Sequence, residues 1–185
     1  RAITARRSLQ WRLLFLSTGE VRLSEHAATA GRKVKGGAEV RLLNVPADAG
    51  CGMGIFKDLH SAGSPGEFAN QLATAAKAQY GHALRAFLNC LVSDSTYCRR
   101  AVETMNNFIN TFSPSNAAPE VGRALRRFAL VCAAGELATE MGITRWSKGE
   151  AWWAAAQCFD AWLTDRGGPG AFRPRRANDT APVPG

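Results

Sequence analysis

The chain has 185 residues and a formal net charge of +8 at pH 7, and 46% of its residues are hydrophobic. This length allows one domain, or one domain and a tail, and the hydrophobic content excludes a wholly disordered chain. Uncharged apolar runs such as Leu13–Leu16 are far too short to cross a membrane, and no signal-peptide pattern opens the sequence. We therefore expect a basic, cytoplasmic protein without a membrane partner.

Two apolar segments near the N-terminus are predicted to be strands of a parallel sheet. Residues 11–17 (WRLLFLS) and 39–45 (EVRLLNV) are apolar on both alternating faces, as strands buried between two helix layers are. The connection between them is long enough for a crossover and includes a helical pattern from Leu23 to Ala30. Residues 11–45 are therefore predicted to form one β-α-β unit.

Helical patterns dominate from residue 64 onward. Ser64, Pro65 and Glu67 are typical of a capped helix start, and a second such start lies at 147–150. Apolar residues then recur at three-to-four spacing. The predicted helices cover residues 64–80, 82–92, 96–112, 119–141 and a segment from the 147–150 start to about residue 163. From Gly167, glycine and proline interrupt all periodicity, which predicts a disordered basic tail over 167–185.

Together these elements predict an α/β fragment that is mainly helical and has three parts. Residues 1–62 supply about two strands of a partial parallel sheet, residues 63–166 form a helical bundle, and residues 167–185 form the tail. A two-stranded parallel sheet with apolar faces and two unpaired edges is not stable alone. The sequence therefore implies neighbouring strands that this chain does not contain, and we expect a truncated part of a longer protein.

Motifs that would mark a complete active site are not found in the sequence. None of the five lysines is followed by Ser or Thr, so the chain has no Walker A loop, and the loop at 47–54 (ADAGCGMG) is a weak dinucleotide pattern. The five cysteines lack the paired spacing of a zinc site, so we expect no metal. Glu136 and Glu140 lie one helical turn apart, which is typical of a solvated helix face. We expect this chain alone to bind no cofactor.

Arginine supplies most of the positive charge. Its planar guanidinium suits phosphate recognition, so arginine clusters are candidate nucleic-acid contacts. The candidates within the predicted helices are Arg99, Arg100, Arg126 and Arg127. Arginine pairs are also frequent on helix faces that are merely solvated, and that alternative stays open.

Several strings of the sequence resemble a known protein family. The segments RSLQWRLLFLSTGEVRLSEH, GRKVKGGAEVRLLNVPADAG, GMGIFKDLH, RRFALVCAAGELATEMGITRW and GEAWWAAAQCFDAWLTDRGG are similar to the C-terminal half of the family catalogued as domain of unknown function nine-two-seven. The resemblance covers about residues 1–167. Its members are bacterial, phage- or plasmid-associated proteins with a helicase-like P-loop ATPase core. The resemblance implies that the full-length parent binds ATP and Mg²⁺ upstream of this chain and acts on nucleic acid as a homo-oligomer.

The resemblance also implies candidate catalytic residues at the end of the first predicted strand. Ser17 and Thr18 would lie at the C-terminal tip of a core strand, where P-loop ATPases commonly hold a polar sensor near the γ-phosphate. Glu20 would orient water or pair with an arginine, and Arg7 is the candidate arginine finger. Ser17 and Glu20 also have the spacing of a capping box for the following helix, and both interpretations stay open.

The sequence thus predicts the C-terminal part of a helicase-like P-loop ATPase from a mobile element. We expect this chain to be inactive alone because it lacks the Walker A and Walker B segments. The alternatives are a non-enzymatic helical module that binds nucleic acid or protein, and an inactive truncated product.

Overall fold

A computed structural model describes residues 15–31 and 40–170. The chain divides into two compact units, residues 1–34 and residues 35–185. In the first unit the described residues form one short helix, α1, over Leu23–Thr29. The Arg22 side chain lies 4.0 Å from the Glu25 carboxylate in its first turn, and Thr29 Oγ1 donates a 2.7 Å hydrogen bond to the His26 carbonyl in its last. The helix predicted from Leu23 is confirmed.

The described part of the second unit is helical, which confirms the predicted helical bundle. Its helices are α2 (Pro65–Ala78), α3 (His82–Ser93), α4 (Thr96–Phe112), α5 (Pro119–Glu140) and α6 (Glu150–Asp165). Helix α2 begins as its sequence predicts, because the Ser64 hydroxyl accepts a 3.1 Å hydrogen bond from the Glu67 N–H. The Glu67 carboxylate in turn accepts a 2.9 Å hydrogen bond from the Gly63 N–H.

Helices α4, α5 and α6 pack into a three-helix bundle around one apolar core. Helix α5 lies at its centre and supplies most of the buried side chains. From α4, the fully buried Phe108 contacts Trp152 of α6 edge to face, with 5.1 Å between ring centres. Phe128 of α5 meets Phe159 of α6 in the same way at 5.7 Å. Aromatic contacts therefore join α6 to both other helices.

Helices α5 and α6 approach closely because a glycine lies between them. A Cβ atom on Gly135 would be 2.5 Å from the Ala151 Cβ, so any larger residue would push the two helices apart. One turn earlier, Cys132 is fully buried in the core. Burial raises the pKa of the Cys132 thiol to about 12, with a smaller contribution from the negative charge of Glu136. This thiol is therefore a neutral core side chain.

The strand predicted over 39–45 is not formed in the part that the structure describes. Residues 40–45 make a turn followed by irregular backbone. Val40 is 5% exposed and belongs to the helical core, with Leu43 packed beside it. Arg127 of α5 donates a hydrogen bond to the Val40 carbonyl. Packing of Val40 and Leu43 against the bundle therefore accounts for apolar residues that the sequence attributes to a sheet.

The strand predicted over 11–17 lies mostly outside the described residues. Its described part, 15–17, is irregular, and Phe15 and Leu16 are 76% and 101% exposed. The described residues therefore contain no parallel sheet. Of the predicted tail, residues 167–170 pack on the bundle, where the Ala118 N–H donates a 2.9 Å hydrogen bond to the Pro169 carbonyl. Residues 171–185 lie outside the described part of the chain.

Candidate functional site

The predicted nucleotide sensor lies in the irregular segment before α1. Ser17, Thr18 and Glu20 are exposed, and the Ser17 hydroxyl lies 3.5 Å from the neighbouring Thr18 carbonyl. The N-cap residue of α1 is Arg22, and no side chain caps this helix, so the capping-box interpretation of Ser17 and Glu20 is wrong. Arg7 lies outside the described residues. The sensor and arginine-finger roles stay predictions.

Two of the four candidate nucleic-acid contacts are paired with glutamates. On α4, Arg99 Nε lies 3.8 Å from Glu103 Oε1, one turn further along the same helix. Arg100 forms an ion pair with Glu140 and so links α4 to α5. These carboxylates reduce the positive potential that attraction of nucleic-acid phosphates requires.

The other two candidates lie next to each other on α5 but have different surroundings. Arg126 is exposed. Arg127 is half-buried, and its guanidinium donates to the Val40 carbonyl. That hydrogen bond holds the 40–45 segment on the bundle, so Arg127 has a structural role. The sequence pattern correctly predicts that these arginines lie on helices, but it does not reveal their partners.

The excess of positive charge lies outside the helical region, which we define as residues 46–166 with helices α2 to α6. Residues 46–166 contain eleven Lys and Arg and eleven Asp and Glu, so this segment is neutral. Residues 1–45 contain nine basic and three acidic residues, and residues 167–185 contain three basic residues and one acidic residue. The net charge of +8 therefore comes from the two ends of the chain. The helical region has no excess of positive charge with which to attract nucleic acid.

A cleft of about 620 Å³ lies between α4, α5 and the start of α6. On one wall, Glu136 Oε2 accepts a 3.0 Å hydrogen bond from the Gly149 N–H, and its Oε1 accepts a 2.9 Å hydrogen bond from the Trp152 N–H. The ion pair between Arg100 and Glu140 crosses from one wall to the other. Within the described ranges, no cluster of three or more His, Cys, Asp or Glu could hold a metal ion. Glu136 and Glu140 thus each connect two helices at this cleft.

The role of Glu136 is not evident from the sequence, in which Glu136 and Glu140 have the spacing of a solvated helix face. The feature of the sequence that points to this role is Gly149, the N-cap residue of α6. Its φ of +89° is left-handed, and it has no side chain to cap the helix, so an acceptor must come from elsewhere. Ser147 makes no side-chain cap either, although its N–H donates a 3.1 Å hydrogen bond to the Glu150 carboxylate. The second predicted capping box is thus half formed, and α5 supplies the missing acceptor through Glu136.

Helices α2 and α3 present apolar side chains that the described residues of the chain do not cover. Every residue of both helices is described, and none is buried. On α3, Leu84, Leu88 and Val92 are 64%, 49% and 87% exposed, and we name these three residues the α3 apolar face. Leu72 on α2 is also exposed. Phe68 of α2 meets Phe56 in the preceding loop, with 4.8 Å between ring centres.

Comparisons with known protein families, with curated proteins and with solved structures find no match to this chain. In the described residues, no helix is both long enough and apolar enough to cross a membrane. On the described surface, the α3 apolar face gathers three exposed aliphatic side chains on one short helix.

Proposed function

We propose that residues 65–166 form a protein-docking module and that this module works within a helicase-like P-loop ATPase. The exposure of α2 and α3 carries the proposal. These helices have 14 and 12 residues, and helices shorter than about 15 residues are marginal in water without tertiary packing. Their apolar residues recur at helical spacing but are not covered by other residues within 15–31 and 40–170. A protein surface that covers them would stabilise both helices.

The charge of the helical region favours a protein partner over nucleic acid. Nucleic-acid affinity depends on basic residues that displace counterions from phosphates. Residues 46–166 are neutral, and Arg99 and Arg100 lie beside Glu103 and Glu140. An apolar face on a neutral helical region is suited to another apolar protein surface.

The ATPase part of the proposal is supported by the resemblance of residues 1–167 and by one exposed segment. Phe15 and Leu16 belong to the string WRLLFLS and are left open to solvent. In the proposal, strands of an ATPase core cover this segment, and Walker motifs outside the chain bind ATP and Mg²⁺. Ser17, Thr18 and Glu20 then lie near the γ-phosphate.

The coding sequence upstream of Arg1 and a binding measurement test this proposal. We expect a GxxxxGK[ST] motif within one domain length, about 100–200 residues. The region that contains this motif, produced separately, should bind the 185-residue chain, and Leu84→Glu with Leu88→Glu should weaken that binding at least tenfold. Val131→Glu with Leu130→Glu, at similarly exposed positions of α5, is the matched control. Absence of the motif, or equal binding by both variants, would overturn the proposal.

A second candidate function, nucleic-acid binding, is favoured for one part of the chain alone. Residues 1–45 carry nine basic residues against three acidic residues, and Arg6 and Arg7 are adjacent there. We propose that any nucleic-acid contact of this chain comes from this segment.

A further inference from the structure

We infer that residues 40–45, which we name the latch, are closed on the helical bundle in this chain and open to add a strand to the ATPase core. The opening step rests on the proposed function, and the closed state rests on contacts within the chain. Three observations support a latch: the few contacts that hold it, the unpaired backbone that follows them, and a sequence that suits a strand better than a loop.

The latch is held on the bundle near its first residue. Among the described residues, Val40 is the only buried one that lies outside α4, α5 and α6. Arg127 of α5 donates a hydrogen bond to the Val40 carbonyl, and Leu43 packs against the same core. Within the described ranges, that hydrogen bond is the only one between the latch and the bundle. The latch is therefore fixed at Val40 and Leu43 and not along its whole length.

The remaining part of the latch lacks regular backbone pairing. Residues 43–49 have no regular secondary structure, and Leu42 and Val45 are exposed although both are apolar. No backbone-to-backbone hydrogen bond joins residues 43–48 to another described residue. Unpaired amide and carbonyl groups of this kind are the groups that a neighbouring strand binds. The latch therefore offers both the apolar side chains and the backbone groups that a strand requires.

The sequence of the latch disagrees with its conformation. Residues 39–45 are apolar on both alternating faces, which is typical of a strand covered by neighbours on each side, and Pro46 ends the run. The described residues contain no sheet for this segment to join, so Val40 and Leu43 are buried on the bundle instead. Where local preference and the observed conformation disagree, a second structure of the same segment is close in free energy. Neighbouring strands from a partner would favour that second structure.

Arg127 favours the closed latch over the open one. Its guanidinium is half-buried, and its acceptor is the Val40 carbonyl. Opening the latch removes this acceptor, and a half-buried charged donor without its acceptor is destabilised. A partner that binds only the open latch therefore has an affinity that is lowered by the small fraction of open chains. Removing the Arg127 guanidinium should raise that fraction.

Trypsin cleavage of the full 185-residue chain tests the closed latch. Arg41 is exposed, but cleavage after it requires the latch to leave the bundle, so its rate follows the open fraction. We expect Arg127→Ala to speed cleavage at Arg41 by about tenfold or more, because the lost hydrogen bond has a charged donor. Cleavage at Lys57, in an exposed loop, is the internal reference. Arg126→Ala, at the exposed neighbouring position of α5, is the matched control and should leave both rates unchanged.

A second variant keeps this test decisive if circular dichroism shows that Arg127→Ala has lost its helices. Val40→Ala leaves Arg127 in place but removes buried methyl groups from the core, so it should also speed cleavage at Arg41. If neither variant changes the ratio of the cleavage rates at Arg41 and Lys57, the latch is refuted.

Binding of the separately produced region with the upstream Walker motif tests the opening step. Arg127→Ala should bind this region more tightly than the native chain does, by about the factor by which it speeds cleavage at Arg41. An arginine with only a structural role would not strengthen binding when it is removed, so equal or weaker binding overturns the opening step. If the Walker region binds neither chain, the proposed function fails, and the cleavage ratio still decides whether the latch is closed by Arg127.

Discussion

The carboxylate of Glu136 connects two helices that adjoin the same cleft. Both of its oxygens accept backbone hydrogen bonds from the first turn of α6, at Gly149 and Trp152. A negative group at this position also interacts favourably with the positive end of the helix dipole. Since Gly149 has no side chain, the start of α6 depends on a residue of α5. The first turn of α6 is therefore capped only when α6 packs against α5.

Glu136→Gln should lower the free energy of unfolding by about 1 kcal/mol, because one charged acceptor becomes a neutral amide. For a chain of this size the melting temperature should fall by about 2–4 °C. Urea denaturation followed by circular dichroism measures the change. Glu103→Gln is the control, since its carboxylate is exposed and lies 3.8 Å from Arg99, and exposed pairs contribute little. An equal decrease of the free energy of unfolding in the two variants would contradict the capping role of Glu136.

At the scale of elements, the helices are predictable from this sequence, whereas the described parts of the predicted strands, residues 15–17 and 40–45, are not strands. Helix starts such as Ser64–Glu67 are determined by local hydrogen bonds, so a few neighbouring residues are sufficient to identify them. The segment 39–45 is apolar on both faces, and that pattern does not distinguish a buried strand from a loop packed on helices. Val40 and Leu43 pack on the bundle, and the contact of Val40 with Arg127 joins residues 87 positions apart. A single sequence does not reveal such a contact.

For the candidate functional residues too, neighbouring residues predict the secondary structure, whereas the partners come from distant parts of the sequence. The sequence places Arg99 and Arg100 on a helix, and their proximity on α4 follows from that alone. It does not show that Glu140, forty residues later, neutralises Arg100. The exposure of Leu84 and Leu88 was equally hidden, because an apolar helix stripe is normally a core contact.

Hydrogen exchange should separate the helices into two groups. At low concentration we expect the amides of α2 and α3 to exchange rapidly, since no side chain there is buried, and those of α5 to exchange slowly. Mass spectrometry of peptides from each helix measures this. Protection of α3 equal to that of α5 at low concentration would mean that the chain itself covers the α3 apolar face.

At the scale of the whole molecule, the excess of basic charge and the α3 apolar face lie in different parts of the chain. The neutral stretch 46–166 includes the helical bundle and the α3 apolar face, while the excess of basic residues lies in 1–45 and 167–185. Because screening limits electrostatic attraction to about 10 Å at 0.1 M salt, basic residues act mainly on what lies close to them. We therefore expect protein docking and phosphate attraction to respond to substitutions in different parts of the chain.

Salt-dependent binding to a short fluorescent DNA duplex tests this separation. Each lost phosphate contact lowers the slope of log affinity against log salt by about 1, so Arg6→Ala with Arg7→Ala should lower it by about 2. Arg99→Ala with Arg126→Ala removes the same charge from the helical region and should leave the slope unchanged. A larger change of the slope in the Arg99/Arg126 variant would place the nucleic-acid contact on α4 and α5. That result would contradict the prediction that phosphate is bound by residues 1–45, because residues 46–166 are neutral in net charge.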